Sequence, residues 1–305
     1  MKNQHTIACP VGLSGIGLHT GVSVNLRLTP APANRGIVFR RTDLEAFEIE
    51  ARARNVTRLS YATSLMKKGV LISTTEHLLS ALAASGVDNA YVELDNLELP
   101  IMDGSALPFV KLIAGAGLRR QRARRTYLKV LRPVEISEGS KRIAVYPADC
   151  FHITYHIDFR HPLIGRQSLD FCPGSGDYAS EIAPARTFGF YEELDTLRKN
   201  GLVRGGSLEN AIVLTRQGIM NAEGLRFADE FCRHKILDLM GDLALLGKQL
   251  LGKVVADRAG HAMHTALVSR VLRDRSLWEE VTLPQIAEEP AIPRRAEAAA
   301  GSSLH

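Results

Sequence analysis

The chain switches between two hydrophobic periods, and the order of the switches limits the fold more than any single motif does. "VSVNLRL" at residues 22–28 alternates apolar and polar side chains, the period of a half-buried strand, and Pro30 and Pro32 close it. Strand patterns are also expected at residues 36–41 and 89–94. Between them, "STTEHLLSALAASG" has helical spacing: Ser73 and Glu76 stand in the S-x-x-E order of a capping box, Leu78, Leu79 and Leu82 follow, and Gly86 marks the stop. A second helix is expected at residues 107–116. The later half reads as strands at 127–134, 141–146 and 151–159, a glycine-rich loop "CPGSGDY", then helices at 190–200, 229–246 and 261–273. Strands and helices come in runs instead of strict alternation, which favours an α+β architecture over a doubly wound parallel sheet.

A chain of 305 residues with 45% hydrophobic and 23% charged residues can bury a sizeable core and is expected to form two domains. We place the boundary at the arginine-rich "RRQRARR" (residues 119–125), read as a charged connector, giving domains at 1–125 and 126–275. The end of the chain, "IAEEPAIPRRAEAAAGSSLH", offers little to bury, so residues 276–305 are read as a tail without fixed structure. No apolar run approaches the ~18 residues of a transmembrane span, and the N-terminus lacks the apolar core of a signal peptide. A cytoplasmic location is therefore expected. Cys9, Cys150, Cys172 and Cys232 form no C-x-x-C pair, which argues against a disulfide framework or a cysteine zinc site. The balance of 38 basic to 33 acidic residues favours anionic partners but is too small to imply nucleic acid. The arginine segment could meet nucleic acid or anionic lipid head groups; a solvated linker explains it as well.

"RHKILDLMGD" (residues 233–242) sets His234, Asp238 and Asp242 at steps of four. At about 100° per residue these share one sector of a helix, while Ile236, Met240 and Leu243 lie on the far side. Taken alone, the stripe could be a solvated face with an ordinary surface pair. Phe231 and Leu245 on the same side argue against a purely wet face. A catalytic zinc site needs three imidazole or carboxylate ligands and a position open to water, and His77 is a candidate third ligand with Glu76 beside it. Glu76 could equally be only a capping glutamate, and His77 only a half-buried histidine. There is no H-E-x-x-H of the metalloprotease type.

Other candidates are weaker. His152 and His156 share a strand face about 13 Å apart, too far to bind one ion, and are read as surface residues. His261 lies at a helix start, where an imidazolium is disfavoured, so a proton-donating His261 would need a carboxylate such as Asp242. "GLSGIGLHTG" (residues 12–21) lacks the G-x-G-x-x-G spacing and leads into a strand; it reads as a glycine-bearing turn.

In order along the chain, "GIGLHTG", "PAPANRGIVFRRTDL", "TTEHLLSAL", "ELPIMDGSALPF", "IDFRHP", "ARTFGF", "RHKILDLMGDL" and "AGHAMH" resemble the bacterial UDP-3-O-acyl-N-acetylglucosamine deacetylases of lipid A (lipopolysaccharide) biosynthesis. The resemblance covers residues 1 to about 275. It implies a zinc-dependent amidase that hydrolyses the N-acetyl group of a UDP-linked, 3-O-acylated glucosamine and releases acetate. By motif, the Zn2+ ligands fall on His77, His234 and Asp238, the general base on Glu76, the general acid on His261 with Asp242 as its carboxylate partner, and the oxyanion-stabilising threonine on Thr187. Substrate contacts fall on Lys235 and Phe188.

The same resemblance implies two similarly built α+β domains with their helices sandwiched between outer sheets and the active site between them. An acyl-chain passage would lie in an insertion near residues 191–213, where Leu194, Leu197, Leu202 and Val203 could line it or form an ordinary small core. The resemblance also implies nucleotide contacts from basic and aromatic groups, for which Lys141, Phe159 and His161 are the candidates. No nucleic-acid partner is expected, and transient contact with a membrane surface is compatible with an acylated substrate. The alternatives are a zinc amidase acting on another acylated amine, and a basic binding module whose histidines are structural.

Overall fold

The computed structural model describes residues 3–57, 61–174 and 176–282. Its first half runs β1 (Asn3–Ile7), β2 (Val11–Ile16), β3 (Ser23–Pro30), β4 (Ile37–Arg41), β5 (Phe47–Glu50), β6 (Val56–Thr57), β7 (Ser64–Lys67), β8 (Val70–Ile72), α1 (Glu76–Ala84), β9 (Ala90–Leu94), α2 (Leu107–Ala116) and β10 (Leu118–Arg124). The second runs β11 (Tyr127–Val130), β12 (Val134–Glu138), β13 (Lys141–Tyr146), β14 (Phe151–Phe159), β15 (Gly165–Phe171), α3 (Tyr178–Glu181), β16 (Phe188–Phe190), α4 (Leu194–Lys199), β17 (Ile212–Leu214), α5 (Glu230–Leu243), β18 (Gln249–Asp257), α6 (His261–Arg273) and β19 (Trp278–Val281). The protein is α+β, as the segregated runs imply.

In the first half, a sheet of order β2-β3-β9-β4-β5 has one parallel pair, β4 with β9. The alternation of β3 works as expected: Val24, Leu26 and Leu28 are buried, and the residues between them are exposed. In the second half, the long strand β18 is the spine of a seven-stranded sheet, running parallel to β11 and β14 and antiparallel to β13. Among the described residues no strand pairing joins the two halves. They are joined by helix packing, α1 on α2 and against α5 with α5 and α6 on the strands of the second sheet, and by loop hydrogen bonds such as Thr187 amide to Gly104 and Arg204 amide to His19. The helices therefore lie in the middle.

This position explains why α5 is apolar or occupied on nearly every side. Phe231, Ile236, Leu237 and Leu239 are buried, and so are Glu230, His234, Asp238 and Asp242. The stripe is not a wet face. Helix α1 meets α5 at Gly241, where the backbone of Glu76 occupies the space a side chain would need. The far end of α1 closes as its glycine implies: Gly86 adopts φ +74°, and the amides of Gly86 and Val87 return to the carbonyls of Ala83 and Leu82.

Several expectations need correction. The "RRQRARR" segment is no connector: it forms β10, antiparallel to β1, and its last residue Arg125 is buried against Asp88. Its arginines satisfied the charge criterion for a linker while alternating as an edge strand does. The capping box does not form, since the N-cap is Thr75 without a side-chain hydrogen bond. Ser73 instead accepts from the Ser64 hydroxyl, and Glu76 accepts from the Thr63 amide at 3.0 Å. The strand expected at 127–134 is split around Pro133, which has no amide for a ladder. The tail begins later than residue 276, because β19 pairs with β11 and buries Trp278. Residues 283–305 lie outside the described residues. No helix among the described residues is long and apolar enough to cross a membrane.

Candidate active site

The crossing of α1 over α5 brings His77 to His234 and Asp238. One ligand atom from each of the three lies within 4.8 Å of the others, and all three residues are buried. His234 Nε2 is 3.3 Å and His77 Nε2 3.7 Å from Asp238 Oδ1, with the two imidazole rings edge to face. The protonation pattern argues for a cation. His234 Nδ1 lies 3.0 Å from the Ala185 carbonyl, which only an N–H can satisfy, so in the neutral ring Nε2 is a bare lone pair. That lone pair faces Asp238 Oδ1, which has no hydrogen-bond partner among the described residues. Burial, then the neighbouring His234, pushes His77 down to about 3, keeping it neutral. Burial works to raise the Asp238 carboxyl, but His234, Lys235 and His261 hold it well below the usual range. A buried cage of two imidazoles and one carboxylate, with a cavity beside it, is the donor set of a divalent metal ion with an open position.

Glu76 begins α1 beside His77. Its carboxyl is raised to about 7, mainly by burial. Oε2 is held by the Thr63 amide, and Oε1 is 3.9 Å from His261 Nε2. His261, the first residue of α6, reaches the same point from the other side, with Nε2 3.8 Å from Asp238 Oδ2 and Nδ1 2.8 Å from Asp242 Oδ2. Burial opposes the imidazolium, but Asp242 and Asp238 lift it to about 9. A carboxyl able to accept a proton thus stands opposite an imidazolium able to give one.

These groups open into a cavity of ≈ 510 Å³ between the two halves. Thr187, Phe188, Phe159, Lys235 and Leu194 line it. The Thr187 segment is fixed by bonds from its amide to Gly104 and from the Ile212 amide to its carbonyl. Lys235 Nζ donates to Asp238 Oδ2 at 2.7 Å and stands 5.7 Å from the Phe188 ring centre. Leu197, Val203, Leu208, Ala211, Val213 and Met220 extend the wall on the apolar side.

Three expected contacts are not cavity walls. Lys141 is exposed at the β12–β13 turn, paired in register with Glu138. His161 is buried and bonded to the Thr215 carbonyl, and Leu202 closes the end of α4 with its amide on Leu197. His152 and His156 are half-buried on the outer sheet, away from the cage. Sequence reasoning passed over His19. It sits in the turn after β2, both ring nitrogens are buried without a partner among the described residues, and it lines the cavity. Glu98 holds that turn by accepting from the amides of His19 and Thr20. A histidine in a glycine-bordered turn was the available signal.

Fold and site together define a class: an α+β hydrolase in which two imidazoles and one carboxylate form a metal-type cage beside a glutamate, at the mouth of an apolar cavity. Residues 4–273 match the family of UDP-3-O-acyl N-acetylglycosamine deacetylases, and the chain belongs to that family. It is 55% identical over 287 residues to a protein of Solibacter usitatus (strain Ellin6076) named UDP-3-O-acyl-N-acetylglucosamine deacetylase, covering 94% of this chain and 97% of that one. A protein of the same name from Myxococcus xanthus (strain DK1622) is 49% identical over 280 residues, covering 92% and 89%.

Proposed function

We propose that the protein removes the N-acetyl group from UDP-3-O-(3-hydroxyacyl)-N-acetylglucosamine in lipid A biosynthesis, with Zn2+ held by His77, His234 and Asp238. The observation that carries this reading is the buried cage of two imidazoles and one carboxylate opposite the Glu76–His261 pair. Bound there, the ion would lower the pKa of a water and polarise the amide carbonyl.

The chain's own groups account for the proton movements. Glu76 accepts the proton of the attacking water, for which a carboxyl raised to about 7 is well matched. The Thr187 hydroxyl, on a segment fixed at its amide and carbonyl, donates to the oxyanion that develops on the substrate. The leaving amine is a poor anion, and His261, charged through Asp242, protonates it. Lys235 adds positive charge beside Asp238, and the apolar wall beyond Phe188 receives the acyl chain. Residues 191–213 supply part of that wall, which supports reading them as the acyl-passage insertion. The division at residue 125 is supported by the absence of strand pairing across it among the described residues. A nucleotide-linked substrate fits a cytoplasmic site.

The test is acetate release from the acylated sugar nucleotide, together with metal analysis. His77→Ala, His234→Ala and Asp238→Ala are expected to lose both zinc and turnover. Glu76→Ala should keep the metal and lose turnover by about 10²-fold or more. An undiminished rate in Glu76→Ala would remove the general-base role, and equal turnover of the unacylated sugar nucleotide would remove the substrate assignment.

A further inference from the structure

Asp242 serves more partners than a dyad requires. Its Oδ2 lies 2.8 Å from His261 Nδ1 and also 2.8 Å from Nδ1 of His264, one turn further along α6. Its Oδ1 accepts from the Thr63 hydroxyl. Beyond His264, Nε2 is 3.0 Å from the Tyr155 hydroxyl, which also lies 2.8 Å from the carbonyl of Ala259, two residues before His261. Asp242, His264 and Tyr155 are all fully buried, and none of them lines the cavity.

Asp242, His261 and His264 also have the ligand count of a second metal cage. The geometry argues against an ion there. Both Nδ1 atoms stand at N–H···O distance from the same carboxylate oxygen, so the donor sites are turned onto Asp242 and already used. The remaining nitrogen of His264 is occupied by Tyr155. The cluster is a filled hydrogen-bond hub.

We infer that His264, held by Tyr155, is a positioning residue for the deacetylation: it fixes the Asp242 carboxylate so that Oδ2 meets His261 Nδ1 and aims the opposite ring nitrogen into the cavity. This rests on the proton-donor role given to His261 above. A carboxylate can turn about its terminal torsion, and with only His261 and Thr63 as partners several settings would satisfy both. A second imidazole on Oδ2 removes that freedom, because the plane of the carboxylate must suit two donors from one helix. Tyr155 stands at the outer end: its hydroxyl lies within hydrogen-bonding distance of both His264 Nε2 and the Ala259 carbonyl just before α6, so strand β14 borders the start of the helix that carries both histidines. Buried partners of this kind, one bond removed from the reacting group, orient it without touching substrate.

The experiment compares His264→Leu, His264→Asn and Tyr155→Phe with the wild-type protein, measuring kcat, KM and bound zinc on the acylated sugar nucleotide. Asparagine keeps an N–H donor near the place of Nδ1; leucine does not. His264→Leu is expected to lose about 10- to 100-fold in kcat, with KM within about twofold and zinc unchanged. His264→Asn should recover most of that loss, which a merely structural role would not do. Tyr155→Phe removes one oxygen and no packing, is expected to lose several-fold in kcat, and decides the matter where His264→Leu does not fold. Wild-type kcat in Tyr155→Phe or His264→Leu, or equal losses in the leucine and asparagine variants, would overturn the inference. Absence of acetate release by the wild-type protein would overturn the functional reading and this inference with it.

Discussion

Gly241 of α5 lies so close to Glu76 of α1 that a β-carbon at 241 would stand 2.1 Å from the Glu76 carbonyl oxygen and 2.7 Å from its carbonyl carbon. These are backbone atoms and cannot rotate aside. Gly241→Ala must therefore push the two helices apart, and with them Glu76 and His77 from Asp238. The expected cost is about 1–3 kcal/mol of stability from overpacking. Turnover should fall by more than tenfold, since a shift near 1 Å can cost about 10²-fold in a positioned site. Thermal melts with and without zinc check this; wild-type affinity for zinc in Gly241→Ala would contradict it.

A buried ion pair holds the loop that serves the cage. Arg186 donates to Glu230 from its amide at 3.0 Å and from Nε at 2.9 Å, and both side chains are buried. Its neighbours are Ala185, whose carbonyl takes His234 Nδ1, and Thr187, which lines the cavity. Arg186→Leu leaves the Glu230 carboxylate without its cation and is expected to destabilise the fold by about 3–5 kcal/mol. Replacing both residues with apolar ones should cost less than Arg186→Leu alone. Denaturant unfolding of the single and double variants measures the difference, and equal losses would rule out an uncompensated charge as the cause.

Much of the site was legible because helical spacing is local. The steps of four from His234 to Asp242, the adjacency of Glu76 and His77, and His261 at a helix start all survive in the structure. What spacing could not show is that α5 is covered on nearly every side, so that its polar stripe is a buried site; that depends on α1 crossing at Gly241, far away in sequence. The misread segments failed for a related reason. Arg119–Arg125 looked like a linker by charge, but the partner that makes β10 a strand is the N-terminal segment Asn3–Ile7. Trp278 looked like the start of a tail until β11 claimed it. His264 drew no role beside His261, because its partners, Asp242 and Tyr155, come from two other elements.

The charge on His261 can be tested in protein stripped of metal. Burial works against the imidazolium, but Asp242 and Asp238 raise the ring to about 9, above its ordinary 6.5. A raised folded-state value means that the folded protein holds the proton more tightly than the unfolded chain. The stabilisation is complete below about 6.5 and is lost as pH rises through about 9. The His261 ring resonance should titrate near 9, and in Asp242→Asn it should fall. Added zinc, a cation nearby, should lower it as well. Titration at or below 6.5 in the metal-free wild type would show that Asp242 does not hold the charge.

The apolar arm of the cavity sets the last expectation. Leu197, Val203, Leu208, Val213 and Met220 line the cavity together with Ala211, whose side chain is the smallest among them. The Ala211 carbonyl bonds to Asn221 Nδ2 through backbone, so a substitution leaves that bond in place. Ala211→Phe adds a ring where the acyl chain would run and replaces no residue of the cage. With a long 3-O-acyl chain, kcat/KM should fall by about 10-fold or more, the scale on which an apolar pocket discriminates by size. With a short acyl chain it should change by less than about twofold. Zinc content should stay at the wild-type level in both cases. Equal losses on long and short chains would mean that the acyl group does not occupy this arm, and the assignment of residues 191–213 to its passage would fall.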